Sequence, residues 1–141
     1  MEPLRPLPNP MLPEAKPFWD GLRQRRLMLP RCRSCGPFFY PRRLCPSCHG
    51  RDIDWIEASG KGRLYSFSIV HQAMLPAFKV ATPYVLALVE LDEGPRLMSN
   101  LVEVEPDPER IRIGMQVEVV YEDLGDVATL ALFRPARGPA S

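Results

Sequence analysis

The chain has 141 residues, with 45% hydrophobic and 25% charged side chains, which suits one modest globular domain and excludes a large catalytic barrel. It carries 17 prolines, about 12% against an average near 5%, and so disfavours a bundle of long helices. The formal charge of +1 hides a division: residues 1–50 carry net +6 and residues 51–141 net −5.

Residues 1–13 hold five prolines and read as an extended arm. Residues 14–30 are the one helix candidate. Phe18, Leu22 and Leu29 share a stripe at helical spacing, Trp19 flanks it, Pro17 fits the first turn and Pro30 stops it. Leu27 falls opposite the stripe. Two readings stay open: the stripe packs on its own domain, or Phe18 and Trp19 dock on a partner.

Residues 31–50 form a cysteine module. Cys32, Cys35, Cys45 and Cys48 make two C-x-x-C pairs nine residues apart. Two residues between thiolates let one tight knuckle present both sulfurs to one ion, and two knuckles complete a tetrahedron. Gly36 permits the left-handed turn that closes the first knuckle, and Gly50 is given a looser version of that role. Zinc is favoured, with a rubredoxin-like iron centre as the alternative. Four sulfurs close the shell, so the metal is expected to be structural and His49 a bystander.

Residues 51–135 read as strands: 53–57, 64–70, 84–91, 96–102, 117–121 and 129–133. The run 84–91 is nearly continuously apolar and reads as buried. The connection 71–83 is rich in apolar residues, including Met74, Leu75 and Phe78; it is either a lid on its own barrel or an interface. Residues 103–116 read as a loop with room for one helical turn, and 136–141 as a frayed tail. Five short strands in about 80 residues predict a small Greek-key barrel of the OB type, so the fold class is mainly β: helix, zinc ribbon, barrel.

No catalytic constellation emerges. His71 is solitary at a strand end, no serine sits in a nucleophile elbow, and no phosphate loop is present. Nucleic acid is the natural competitor, with the arginines of the front half as footprint and Phe38, Phe39 and Tyr40 as stacking candidates. The acidic barrel opposes it. The N-terminus lacks a secretory h-region and no apolar run reaches transmembrane length, so a cytoplasmic location without membrane contact is expected.

The strings FWDGL (18–22), LPRCRSCG (29–36), FYPRRLCPSC (39–48), IDWIEASGKGRLYSFSIVH (53–71), PYVLALVELDEGPRLMSNL (83–101) and IGMQVEV (113–119) together resemble the acyl-CoA-associated zinc-ribbon/OB-fold proteins. These accompany thiolases and thiolase-like lipid-transfer aldolases. The resemblance implies a rubredoxin-like ribbon with structural zinc and an OB-fold. It also implies a non-catalytic subunit that binds acyl-CoA or scaffolds a thiolase or a steroid side-chain retro-aldolase. On that footing Arg23, Arg26, Arg42 and Arg43 are expected to meet CoA phosphates and Phe78 the acyl chain. Phe18, Trp19, Met74 and Leu75 are expected at the partner interface. The alternative function is a nucleic-acid-binding module.

Overall fold

A computed structural model describes residues 12–13, 15–36, 38–39, 41, 44–72 and 82–136. Arg42, Arg43, Tyr40, Met74, Leu75, Phe78 and nearly all of the arm and tail lie outside the described residues.

The helix α1 runs only from Lys16 to Arg23, with Pro17 in its first turn. The expected helix over 14–30 is too long by its last two turns. The stop is a Schellman-type ending: Arg26 N–H donates to Gly21 O (2.9 Å) and Arg25 N–H to Leu22 O (3.0 Å), while Arg25 takes φ +61°. Glycine usually fills that left-handed position, so an arginine there gave no warning in the sequence. Gly21 is required at the reversal, because a Cβ on it would meet Met28 Cγ at 2.5 Å. Leu27 is thereby freed from the helical stripe and is buried, its carbonyl accepting from Ala58 N–H (2.7 Å).

The chain then enters β1 (Met28–Cys32), which pairs antiparallel with β2 (Ile53–Glu57), from Met28 opposite Glu57 to Cys32 opposite Ile53. Strand β2 belongs to a two-stranded sheet with the helix exit, and the barrel begins at Lys61.

The remaining strands are β3 (Lys61–Val70), β4 (Tyr84–Leu91), β5 (Arg96–Leu101), β6 (Gln116–Leu124) and β7 (Ala128–Pro135). They close in the order β3-β4-β5-β7-β6, the five-stranded Greek-key order of an OB-fold. All neighbours are antiparallel except β5 and β7, which meet parallel at Leu101 and Phe133. Closure falls on β3 and β6, where Gly62 lies opposite Val117. On its other side Gly62 lies opposite Leu91 of β4, where a side chain on it would stand 2.5 Å from Glu90 O, so β3 and β4 approach there because none is present.

Burial along β4 alternates strictly, with Val85, Ala87, Val89 and Leu91 inward. The strand is thus half-buried rather than wholly buried; its apolar continuity arises because Leu86 and Leu88 occupy outward positions. Residues 102–115 hold turns and no helix among the described residues. Pro106 and Pro108 remove the donors a helical turn needs, and Asp107 Oδ1 takes the Glu109 N–H instead (2.9 Å). Phe18, Leu22, Leu27 and Leu29 join Leu64, Val89, Val117 and Phe133 in one core, so helix and barrel share their interior.

Candidate metal centre and its surroundings

The first knuckle leaves β1 at Cys32. Its turn closes through Gly36 N–H on Cys32 O (2.8 Å), with Gly36 at φ +93° as its position demands. The second closes through His49 N–H on Cys45 O (2.9 Å), and here the left-handed residue is His49 (φ +60°), not Gly50. Gly50 serves differently: a Cβ on it would press to 3.1 Å from Cys48 Sγ, and its N–H donates to that sulfur (3.4 Å).

All four sulfurs lie within 4.8 Å of one another, and Cys32 Sγ is 3.7 Å from Cys48 Sγ. A tetrahedron with zinc–sulfur bonds near 2.3 Å has edges of about 3.8 Å, so the donor set fits zinc. Backbone N–H groups of Cys35 and Ser47 donate to Cys32 Sγ and Cys45 Sγ at 3.4 Å, which favours the thiolate form. Four thiols this close cannot all ionise without a cation. The backbone N–H of Cys48 pulls Cys45 down to about 6, whereas sharing a hydrogen bond with the Cys48 thiol pushes Cys35 up to about 12. A divalent ion resolves that conflict by taking all four as thiolates. Cys32 and Cys45 are buried with Phe39 against Ile53, while Cys35 and Cys48 face solvent.

Of the three aromatics expected to stack on bases, the two among the described residues are turned to packing. Phe39 is buried in the ribbon; Phe38 packs against the main core under the Arg31 guanidinium, 5.5 Å from its ring centroid. Phe18 is buried in the shared core, its ring edge-to-face with the half-buried Trp19 at 5.2 Å. Of the arginines expected at phosphates, Arg23 donates to Asp126 O (2.7 Å) and Arg26 to Glu57 Oε1 (3.0 Å). Both are engaged by the chain itself. His71 is exposed at the end of β3.

A node that the sequence did not reveal ties this front half to the barrel. Arg25 grips Asp123 with two parallel bonds (2.9 and 2.8 Å), and Thr129 Oγ1 donates to the same carboxylate (2.7 Å). The Arg25 hydrogen bonds first, then Thr129, hold the Asp123 carboxyl well below the usual carboxylate range. A depressed folded value means that its stabilisation is fully present above the unfolded value of about 3.9 and is lost as pH falls through the folded one. Asp123→Asn is therefore expected to flatten the acid limb of the stability profile and leave the neutral-to-basic slope unchanged. Urea midpoints measured from pH 7 down to pH 2 check this; an unchanged acid limb would refute it.

The geometry defines a class: a two-knuckle zinc ribbon on a β-hairpin, welded through a short helix to an OB barrel. Comparison with known proteins agrees. Residues 19–54 match the ChsH2 rubredoxin-like zinc ribbon domain and residues 55–122 the ChsH2 C-terminal OB-fold domain. The chain is 39% identical over 106 residues to a DUF35 domain-containing scaffold protein of Methanocaldococcus jannaschii, covering 73% of each. It is 42% identical over 131 residues to a probable enoyl-CoA hydratase alpha subunit of Thermomonospora curvata, covering 92% of this chain but only 40% of that one. A benzoylsuccinyl-CoA thiolase subunit BbsA of Thauera aromatica is 32% identical over 99 residues, 68% of this chain and 63% of that one. Among solved structures, the Ltp2-ChsH2(DUF35) aldolase has a chain that superposes with a TM-score of 0.78 at 39% identity, covering 93% of this chain and 98% of that one. The chain belongs to the ChsH2/DUF35 family of zinc-ribbon and OB-fold proteins. Its four cysteines are positioned to bind the metal ion of such a ribbon. Among the described residues, no helix is long and apolar enough to cross a membrane.

Proposed function

We propose that the chain is a non-catalytic subunit that scaffolds a thiolase-fold enzyme, a thiolase or a retro-aldolase, and helps hold its acyl-CoA substrate. The likeness to nearly the whole of a chain from the Ltp2-ChsH2(DUF35) aldolase carries this reading. Relatives named for acyl-CoA chemistry, a thiolase subunit and an enoyl-CoA hydratase subunit, support the substrate class. The metal site supports the accessory role: four sulfurs leave no open position for water or substrate. Arg23 and Arg26 each use one N–H in an exposed contact within the chain and keep further donors, so they stand with Arg42 and Arg43 as the front half's cations for the CoA phosphates.

The test is co-expression with the thiolase-fold enzymes encoded in the same genome, followed by light scattering and thioester assays. A stable complex with altered turnover is expected, and no turnover by the chain alone. Failure to associate with or change the activity of any of these enzymes would overturn the proposal.

A further inference from the structure

OB-folds conventionally bind ligands on the outer face of their second and third barrel strands. Here those strands are β4 and β5, and their outer face has an unusual composition. A half-solvated antiparallel sheet places polar residues outward. Instead, Leu88 lies between Ser66 of β3 and Met98 of β5, and Leu86 lies in the next outward row beside Asn100. Met98 is 69% exposed and Tyr65, at the bulge of β3, is 45% exposed. Neither exposure is needed by the fold.

The charge on this face is also at odds with its surroundings. The segment 51–141 carries net −5, but along the edge of this apolar strip two guanidiniums share one carboxylate: Arg63 and Arg96 each reach Glu90 at 3.3 Å. Arg96 also lies over the Tyr65 ring, 3.8 Å from its centroid, holding both side chains flat across β4. Tyrosine, methionine and arginine are the types enriched at the centres of protein interfaces. A nucleic-acid surface would need free aromatic faces and several unshared cations; here the ring is covered by Arg96 and the middle of the face is aliphatic.

We propose that the outer face of β3, β4 and β5, centred on Leu88, Met98 and the Tyr65–Arg96 stack, is the surface that docks a thiolase-fold subunit through an apolar cluster flanked by a carboxylate. The inference rests on the scaffold reading above. It adds the face and the chemistry of the contact: aliphatic side chains against Leu88 and Met98, and an acid that relieves the arginine pair of sharing Glu90. Such an arrangement steers the partner by charge and holds it by apolar burial.

The experiment measures the affinity of the full chain for its thiolase-fold partner with Met98→Glu and Arg96→Glu. Both side chains are largely exposed, so metal content and thermal midpoint serve as folding controls. Each variant is expected to raise Kd tenfold or more. If the wild type binds and both variants bind equally well, the face is wrong and the scaffold reading stands. If the wild type binds no thiolase-fold enzyme, the scaffold reading itself falls. Two other results would overturn the proposal in favour of a different occupant. One is self-association of the isolated chain that Met98→Glu abolishes. The other is salt-sensitive binding of a single-stranded oligonucleotide that Arg96→Glu abolishes.

Discussion

Cys48→Ala is expected to abolish stable zinc binding and open the chain from Arg33 to Gly50 while the barrel stays folded. Cys48 is exposed, so its removal deletes a ligand without digging a cavity in the core. Among the described residues the ribbon has almost nothing else. Its buried cluster is Cys32, Phe39 and Cys45, with Ile53 alongside, and two of those three are themselves ligands. Structural zinc contributes about 10–16 kcal/mol in small finger peptides, comparable to the whole stability of a domain. Opening should stop at β1, because Leu29 and Pro30 are fully buried and Leu29 lies in the main core. Zinc content after dialysis, read together with trypsin cleavage at Arg33 and Arg51, checks the prediction. Retention of one tightly held zinc, or collapse of the whole chain in a single transition, would sink it.

The same contrast explains what the sequence made legible. The metal site could be read because ligand chemistry is local: two short loops carry all four sulfurs, and their spacing is the geometry. The barrel strands could be read because runs of apolar, β-branched and aromatic residues are separated by turns at Asp92–Pro95 and Gly125–Val127. What escaped was set by tertiary contact. The helix ended early because Arg25 could adopt φ +61°, a conformation that costs a non-glycine residue about 1–2 kcal/mol. Asp123, far along the chain, holds the Arg25 side chain there through two parallel hydrogen bonds. Residues 53–57 have a strand pattern that does not say which sheet they join; their partner is the helix exit. Leu86 and Leu88 hid the alternation of β4, because outward aliphatics make a half-buried strand look buried.

Phe133→Ala is expected to destabilise the chain by about 3–5 kcal/mol, lowering the melting temperature by about 10 °C or more. Phe133 is fully buried and sits at the seam where a parallel contact brings β7 beside β5. Its carbonyl accepts from Val102 N–H (2.7 Å), its register partner in β6 is Val119, and its ring belongs to the core that Leu22 and Leu29 share with the barrel. Truncation therefore loosens three elements together: the β5–β7 closure, the β6–β7 hairpin and the seat of α1. Collapse around the cavity is restricted because the seam is held by backbone bonds on both sides. Met98→Ala provides the contrast, since that side chain stands in solvent and its loss should fall within about 0.5 kcal/mol. The two variants differ in burial far more than in side-chain volume, so denaturant midpoints for the pair isolate burial as the cause. A Phe133→Ala loss below about 1 kcal/mol would mean that the helix and barrel do not share a core at this seam.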